Sequence, residues 1–396
     1  MSIVIFGDLF TFPDGSAATN RVYTYAKGFN ENGISVHVVC FYDEYLEEHT
    51  GVINDIHYYH PLGQKKRNKH FIVRRWYKLR KYFKAILLIN RINKQDKITA
   101  INSYTESLLN YLFSWFLAKI CKTKLIMEIC EHPLRFYQMG IIKKKIGLIK
   151  LYIESRLCDG IFCISHFLVN FYRNQGIHQR KLFLVPSMVD PGRFLKTADK
   201  PIPFRYIGYF GSLTFERDNV DLLIRTFARI TGKYDDVSLV LGGFCSENEK
   251  KQIKDLITQL NIDSKVQLLE YLTRQEIIAY ITHAHILVMV RSNDLRSQAS
   301  FPSKLFEFLA TSNPVVTVNT GEISDYLTDA LNVFIVEPGN CDALTEKLEF
   351  ILSNYEFAQS VAQRGKELTA TIFNYNYQTK RMIGFINSLN NISNTG

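Results

Sequence analysis

The stretch SFPSKLFEFLATSNPVV at residues 300–316 combines groups that can bind an anion with a single carboxylate. Pro302 suits the first position of a helix, where the following backbone N–H groups have no helical partner and can meet a negative charge. On that helix Ser303, Lys304 and Glu307 share one face, at spacings of four and three residues. Because a carboxylate repels phosphate but accepts hydrogen bonds from vicinal hydroxyls, the pattern predicts a site for an anionic ligand that also carries hydroxyl groups. The alternative is a core helix whose single Glu reaches solvent.

A glycine-containing loop follows the first strand-like segment, residues 2–6. Gly15 and Ser16 stand where this loop turns into a helix that starts near Thr19. Small side chains there let a ligand approach backbone N–H groups, and a helix N-terminus favours negative charge; the alternative is a tight turn without a ligand. The chain has no Gly-x-Gly-x-x-Gly after this strand and no Gly-x-x-x-x-Gly-Lys-Ser/Thr, which disfavours ordinary dehydrogenases and P-loop proteins.

A second loop of this kind follows YIGYF at residues 206–210. Gly211 and Ser212 end the strand, and Arg217 precedes a helix expected to begin near residue 219 or 220. A guanidinium at that point can bind a diphosphate through paired hydrogen bonds, although a lone Arg can also be an ordinary surface residue. The loop is a candidate partner for the helix face that holds Glu307.

Short apolar runs alternate with helical patterns through both halves of the chain, which is typical of doubly wound parallel sheets. The strands expected in the first half are residues 2–6, 35–41, 99–102, 124–130, 160–164 and 182–185. Those expected in the second half are residues 206–210, 238–241, 266–269, 286–290, 315–318 and 333–336. Helical spacing also indicates helices at residues 21–32 and 374–390. We therefore expect an α/β fold with two Rossmann-like domains.

The segment SMVDPGRFLKTADKPIPF, rich in Pro and polar residues, predicts a linker between the domains. We expect an N-terminal domain at residues 1–195 and a C-terminal domain at 196–372. A terminal helix at 373–396 is expected to cross back to the first domain. Ligands in such sheets bind at the carboxyl ends of strands, so the expected site is a cleft between the two sheets.

The composition is that of a globular protein, with 46% hydrophobic and 22% charged residues. The seven cysteines are scattered and never spaced as Cys-x-x-Cys, which argues against a disulfide framework or a zinc site and favours a reducing compartment. The longest apolar run, residues 108–120, is interrupted by polar residues and is too short to span a bilayer. The chain opens on a strand-like segment and not on a signal peptide. We expect a cytoplasmic protein without a membrane span.

Positive charge is concentrated in the first half, where residues 1–200 hold 30 Lys and Arg against 16 Asp and Glu. Residues 56–95 alone contain twelve Lys and Arg and no acid. The apolar residues that helical spacing aligns there on one face are Ile72, Trp76, Leu79, Phe83 and Ile86. A basic amphipathic helix with Trp is typical of membrane-surface binding, so we expect residues 65–90 to contact an anionic membrane, with help from the Lys run at 143–145. The alternatives are a stripe packed on the domain and a nucleic-acid site; we expect no nucleic-acid partner, because no known reader motif accompanies the charge.

The chain resembles the GT-B glycosyltransferases of family 4, in particular the bacterial group 1 enzymes of capsule or lipopolysaccharide assembly. The resemblance covers nearly the whole chain and rests on the order and spacing of DGSAATNRVYTYAKGFNENGISVHVV, CDGIFCISHF, KLFLVPSMVDPGRF, YFGSLTFERDNVDLLIRTF and FPSKLFEFLATSNPVVTVNTGEISDYL. It implies retaining transfer of a sugar from a nucleotide-diphosphate donor to a saccharide, with no metal and no cofactor. As the donor, a UDP-sugar is expected rather than a GDP-sugar, since uridine is the commonest base among the donors of similar enzymes. The resemblance also implies that residues 1–195 form the acceptor-side domain and residues 196–372 the nucleotide-sugar-binding domain. The acceptor is expected to be lipid-linked and the enzyme peripheral on the inner face of the cytoplasmic membrane.

The resemblance also implies roles for individual residues. Arg217 matches the basic residue that binds the donor's diphosphate, and Glu307 matches the second of two glutamates seven residues apart, which makes it a candidate catalytic and ribose-binding residue. The donor-binding residues expected from the loops and the resemblance together are Gly15, Ser16, Gly211, Ser212, Arg217, Ser303, Lys304 and Glu307.

The chain departs from the family pattern at three places. Ala299 stands where the first glutamate, near the transferred sugar, is expected. Ser212 replaces the usual Arg, which leaves Lys304 as a substitute cation. The His expected after a strand of the first domain falls in CEHP, so either Glu131 or His132 is the catalytic candidate there. The departures leave an alternative: a non-catalytic basic protein that has kept the glycosyltransferase scaffold and binds membrane or nucleic acid. A site that had lost its activity, however, would have no reason to keep the charged helix face with Lys304 and Glu307.

Overall fold

The computed structural model of the chain describes residues 1–133, 140–195, 199–270 and 272–392. The described residues form two compact units. The first unit contains residues 1–188 together with the C-terminal segment from Tyr375, and the second contains Val189–Asn374.

The described part of the first unit holds an eight-stranded sheet with the order β3-β4-β2-β1-β5-β6-β7-β8. Its strands are β1 (Ser2–Gly7), β2 (Ser35–Cys40), β3 (Thr50–Ile53), β4 (Ile56–Tyr59), β5 (Ile98–Tyr104), β6 (Lys124–Ile129), β7 (Gly160–Cys163) and β8 (Leu182–Leu184). All neighbours pair in parallel except β3, which is antiparallel to β4. The six strands predicted for this half are confirmed. The hairpin of β3 and β4 was missed because Ile56 is its only buried residue, so the segment contains no apolar run.

Helices follow the strands as a doubly wound fold requires. Those of the first unit's N-terminal part are α1 (Ala17–Glu31), α2 (Phe71–Gln95), α3 (Leu108–Cys121), α4 (Ile141–Leu157) and α5 (His166–Asn174). Helix α1 begins at Ala17, two residues before the predicted start near Thr19, and buries Val22, Ala26 and Phe29.

A buried ion pair joins α1 to the centre of this sheet. The Arg21 Nε donates to Glu128 Oε1 on β6 at 2.6 Å, and the second carboxylate oxygen accepts from Tyr25 Oη at 3.0 Å and from Asn102 Nδ2 at 2.6 Å. Another Arg21 nitrogen donates to the main-chain carbonyl of Val185 at 3.0 Å. The network therefore holds the second and third turns of α1 against the carboxyl-end half of β6, and hydrogen bonds offset the cost of burying both charges.

The described part of the second unit holds a parallel six-stranded sheet with the order β11-β10-β9-β12-β13-β14. Its strands are β9 (Arg205–Phe210), β10 (Val237–Gly242), β11 (Val266–Leu269), β12 (Ile286–Met289), β13 (Val315–Val318) and β14 (Phe334–Val336). Its helices are α6 (Phe215–Asp218), α7 (Val220–Ile230), α8 (Glu247–Gln259), α9 (Arg274–His283), α10 (Leu295–Ala299), α11 (Ser303–Ala310), α12 (Ile323–Tyr326), α13 (Cys341–Ser353) and α14 (Tyr355–Ala370). The six strands predicted for this half are confirmed.

The last helix, α15 (Tyr375–Ile392), belongs to the first unit and packs against α1. Its apolar residues Met382, Ile386 and Leu389 are buried in the first unit's core. At its N-terminal end the Tyr375 hydroxyl donates to both carboxylate oxygens of Glu31, at 2.7 and 2.6 Å. The predicted return of the terminal helix to the first domain is confirmed.

Candidate functional site

Helix α11 presents the charged face that its sequence predicted. Ser303, Lys304 and Glu307 are half-buried on one side, while Leu305 and the other apolar residues of the helix are buried. Pro302 is the residue just before the helix, with a φ of −71°, and not the first helical residue as predicted. The correction is small, because the N–H groups of the first turn still begin at Ser303. The Glu307 carboxylate is not a solvent-exposed group on a core helix.

The Lys304 side chain crosses to the end of β9. A Cβ added to Gly211 would lie 2.5 Å from Lys304 Nζ, so the ammonium occupies the space that glycine leaves open. Burial lowers the pKa of Lys304, Asp218 and Glu307 oppose that shift, and Arg217 and Arg291 add to it. Burial is the largest of these causes, so the Lys304 ammonium has lost water and would be stabilised by an anion bound beside it.

Arg217 lies in the short helix α6, directly after the Gly211–Ser212 turn. The Thr214 side chain caps this helix and donates to Asp218 Oδ2 at 2.7 Å. The main-chain carbonyl of Arg217 accepts from the N–H of Ser292, at 2.9 Å, just beyond the end of β12. This bond ties the loop after β9 to the loop after β12, two neighbouring strands of the sheet.

Arg291 is a third cation of this cluster, and the sequence analysis missed it. It stands two residues after β12, is only 7% exposed, and donates from Nε to Ser297 Oγ at 3.1 Å and from Nη2 to Ser300 Oγ at 3.0 Å. Burial lowers its pKa, and the charge of Arg217 is the next cause. The sequence does contain one signal for this residue, an Arg directly after the apolar run ILVMV. Charged side chains are almost never fully buried unless they are paired.

Glu307 has a basic neighbour that the sequence analysis also missed. Arg193 Nη1 lies 3.4 Å from Glu307 Oε1, and both side chains are 15% exposed. Arg193 comes from the single turn Pro191–Phe194 in the segment predicted as a linker. At this length the pair is loose, so a hydroxyl donor can share the Glu307 carboxylate with Arg193.

Ala299, the position where a family glutamate is expected, is fully buried at the end of α10. A carboxylate there would need its own hydrogen bonds to offset the loss of water. The space beside α10 is instead crossed by the Arg291 guanidinium, which binds Ser297 on the same helix. The structure thus contains a cation close to the place where the family pattern puts an acid.

The first unit contains the other predicted site residues. Gly15 has a φ of +155°, and a Cβ there would lie 2.5 Å from Thr19 Oγ1 and still closer to the hydroxyl of Thr11, so glycine is required. Ser16 is the N-cap of α1 without a side-chain capping bond, and both Gly15 and Ser16 are exposed. The loop therefore presents accessible backbone, and its contact with a ligand stays a prediction.

Glu131 and His132 follow β6 and differ in their surroundings. The His132 ring is buried, with its centroid 4.8 Å from that of Phe171 and 5.8 Å from that of Phe167. Burial lowers its pKa. Glu131 is only half-buried. Glu131 is thus the more accessible of the two, while the choice between them stays a prediction.

The amphipathic helix α2 exposes its apolar stripe. Ile72 is 80% exposed, Trp76 62%, Leu79 66% and Phe83 60%, and Ile86 is half-buried. The helix packs on its unit through a different face, and the residues buried there are Lys81, Ala85, Ile89 and Ile92. The alternative in which the apolar stripe packs on the domain is therefore wrong for the first four residues.

Helix α4 carries a similar surface. Its exposed apolar residues Ile142, Ile146, Ile149 and Tyr152 accompany the Lys run at 143–145. Helix α3 packs against both α2 and α4. In the described residues no helix is at once long and apolar enough to cross a bilayer, and no group of three His, Cys, Asp or Glu is placed to hold a metal ion.

In sequence, the chain is similar to known glycosyltransferases. Residues 196–368 match the family model described as "Glycosyl transferases group 1". An uncharacterised glycosyltransferase of Methanocaldococcus jannaschii is 22% identical over 258 residues, which covers 61% of this chain and 59% of that relative. The match thus spans less than two thirds of the relative's length.

Solved structures share the fold over nearly the full chain. A sucrose-phosphate synthase from Thermosynechococcus elongatus superposes with a TM-score of 0.74 at 15% identity, over 98% of each chain. HepE of Anabaena, solved in complex with UDP-glucose, superposes with a TM-score of 0.72 at 14% identity, over 98% of this chain and 99% of HepE. The fold of two Rossmann-like domains expected from the sequence is confirmed.

Proposed function

We propose that this chain, which has the GT-B fold and whose residues 196–368 match the family model of the group 1 glycosyltransferases, moves a sugar from a nucleotide-diphosphate sugar to a growing, lipid-linked saccharide. The transfer retains the configuration at the anomeric carbon and serves surface polysaccharide biosynthesis. A UDP-sugar is the proposed donor, because the HepE structure of the same fold contains UDP-glucose. No metal ion and no cofactor take part in the proposed reaction.

The observation that carries the proposal is the cluster of Arg217, Arg291 and Lys304 at the carboxyl ends of β9 and β12. Cleavage at the anomeric carbon puts negative charge on the leaving diphosphate, and cations held in place before the reaction stabilise that charge as it develops. The first-turn N–H groups of α11 form the positive end of the helix dipole, and Lys304 lies in that turn. Glu307, beside the cluster, accepts hydrogen bonds from the ribose hydroxyls.

In the first unit, the exposed loop at Gly15 and Ser16 offers backbone N–H groups to the donor. The half-buried Glu131, or else His132, positions the transferred sugar or stabilises the positive charge that develops on it. The leaving phosphate itself accepts the proton of the acceptor hydroxyl, so that attack occurs on the face from which the phosphate leaves. No carboxylate pair of the glycosidase type is required.

The exposed stripe on α2 supports a peripheral location on the inner face of the cytoplasmic membrane. Ile72, Trp76, Leu79 and Phe83 on that helix are each more than half exposed, which leaves them able to enter a lipid interface. Each nearby Lys or Arg adds about 1 kcal/mol of attraction to an anionic leaflet. A lipid-linked acceptor would reach the enzyme along this surface.

A thermal-shift screen tests the donor half of the proposal. UDP and UDP-sugars should raise the melting temperature of the wild-type protein, because a ligand that binds only the native state stabilises it. GDP and ADP in the same screen identify the preferred base, and the Arg217→Ala variant should lose most of the shift. If no nucleotide diphosphate raises the melting temperature, the glycosyltransferase proposal fails and the result favours the non-catalytic alternative.

A further inference from the structure

The first unit contains a cavity of about 240 Å³ that the proposed donor site does not use. It is lined by residues from three loops, which follow β1, β2 and β4. These strands are neighbours in the sheet and run parallel, so their carboxyl ends meet at one edge. Ligands of open α/β sheets bind outside that edge.

The lining combines aromatic rings with carboxylates. Phe12 and Tyr58 line the cavity with ring centroids 5.7 Å apart. Asp14, Glu44 and Glu48 line it too, and no hydrogen bond or ion pair joins the Asp14 or Glu48 carboxylate to another side chain among the described residues. A sugar ring has hydroxyl groups at its edge and C–H groups on its face. The carboxylates can accept hydrogen bonds from the hydroxyl groups, and the aromatic rings can pack against the C–H face.

A buried histidine lies beside one of these carboxylates. His60 is 4% exposed and its Nε2 lies 2.8 Å from the main-chain carbonyl of Phe12. Its other nitrogen, Nδ1, lies 3.3 Å from Glu44 Oε2. Both of these atoms are buried, and the geometry between them does not make a hydrogen bond. The cavity wall thus holds a carboxylate next to an imidazole without a hydrogen bond between them.

We propose that this cavity binds the terminal sugar of the acceptor saccharide and that it selects a neutral or amino sugar against an acidic one. The proposal rests on the proposed glycosyl transfer and names the acceptor class for it. A cavity of about 240 Å³ is smaller than the roughly 300–1,000 Å³ of sites for drug-sized ligands, so it suits a single sugar ring. A uronic acid would bring a further negative charge to Asp14, Glu44 and Glu48, and like charges at this distance repel.

The cavity also lies beside the proposed membrane surface. The chain runs from His60 through Lys65, Lys66 and Arg67 into α2. A Cβ added to Gly63 would lie 2.5 Å from Lys84 Nζ, so α2 approaches this connecting loop. An acceptor with its sugar in the cavity would therefore find cations for its diphosphate and apolar side chains for its lipid on the same unit.

Saturation-transfer NMR with three methyl glycosides at millimolar concentration tests the proposal on the full chain. Methyl glucoside and methyl glucosaminide should give saturation-transfer signals, and methyl glucuronide should give none. The Glu48→Gln variant should weaken methyl glucosaminide binding by roughly fivefold, the change expected when a charge-assisted hydrogen bond is lost. Asp55→Asn is the matched control, since Asp55 is an exposed acid at the opposite end of β4 and should leave all three results unchanged.

Two results would overturn the proposal: glucuronide binding as strong as glucoside binding, or no binding by any of the three glycosides. UDP binding, measured by thermal shift on the same samples, separates this outcome from failure of the proposed function. Retained UDP binding without glycoside binding rejects only the acceptor cavity. Glycoside binding without nucleotide binding rejects the glycosyltransferase proposal.

Discussion

The ammonium of Lys304 occupies the space beside Gly211, so that a Cβ at Gly211 would lie 2.5 Å from Lys304 Nζ. The two residues are 93 positions apart and come from the helix and the loop that the sequence analysis singled out separately. Their contact brings the two candidate anion-binding segments into one cluster.

The Gly211→Ala substitution should weaken UDP binding at least about tenfold, because the added methyl group displaces the Lys304 ammonium from the cluster. Gly232→Ala is the control, since a Cβ at Gly232 meets no atom within 4 Å. Isothermal titration calorimetry measures the UDP affinity of both variants. Equal UDP affinity in the two variants would contradict the assigned role of Lys304.

Arg217→Ala and Glu307→Ala should each abolish sugar transfer in a folded protein. Loss of a cation that stabilises the leaving diphosphate is expected to lower kcat by about 10²–10³. Arg225→Ala is the control, because Arg225 is an exposed cation on α7 in the same unit. Transfer would be followed by release of UDP from a UDP-sugar, with circular dichroism to check folding. Near-normal turnover in both variants would reject the proposed pocket.

Glu128→Ala should lower the free energy of unfolding by about 3–5 kcal/mol, because it leaves the Arg21 guanidinium buried without its partner. Urea denaturation of wild type and variant measures the difference. The control is Glu47→Gln, which removes an exposed pair with Lys65, 2.6 Å long, and should cost less than about 1 kcal/mol. If the two variants lose equal stability, the Arg21–Glu128 network is not what holds α1 to the sheet.

The free energy of unfolding should fall as the pH is lowered from 7 to 4. Burial lowers the pKa of His285, which stacks on Tyr355 with ring centroids 3.9 Å apart, to about 4, and it lowers the pKa of His37 to about 4 as well. The unfolded chain, with ordinary histidines, takes up protons first as the pH falls below about 6.5. Stability from each neutral histidine is therefore complete above that pH and is lost as the pH approaches 4, by about 1 kcal/mol each after allowance for partial exposure.

Urea unfolding midpoints at pH 7 and pH 5 check this pH dependence. The His285→Asn variant should show a smaller difference between the two midpoints than wild type, because its side chain does not titrate in this range. An unchanged difference would mean that His285 does not contribute to the loss of stability in acid.

A Trp76→Ser, Leu79→Ser double variant should sediment less with liposomes that contain anionic lipid. Both side chains are more than 60% exposed, so the change should remove membrane contacts without disturbing the core. Phe244→Ser is the control, as Phe244 is 79% exposed in the second unit. Sedimentation at stepped salt and a gel shift with nucleic acid complete the comparison. Tight nucleic-acid binding together with an absence of lipid binding would reject the membrane surface.

The strand pattern was readable from the sequence because buried parallel strands are continuous apolar runs. All twelve strands predicted from such runs are present, whereas the β3–β4 hairpin escaped prediction because it has almost no buried residue. The charged face of α11 was equally readable, since side chains three and four residues apart on a helix must lie together. Local periodicity thus determined the elements and several of the site residues they carry.

Long-range contacts were decided only by the tertiary structure. Arg291 and Arg193 are ordinary basic residues in the sequence and became candidate site residues only when the fold placed them beside Arg217 and Glu307. The same holds for the exposed stripe of α2, because helical spacing shows which residues share a face but not whether that face meets protein or solvent. The sequence by itself determined the strands, the helices and the chemistry each can offer. Which side chains meet depends on how strands order in a sheet, and only folding in three dimensions settles that order.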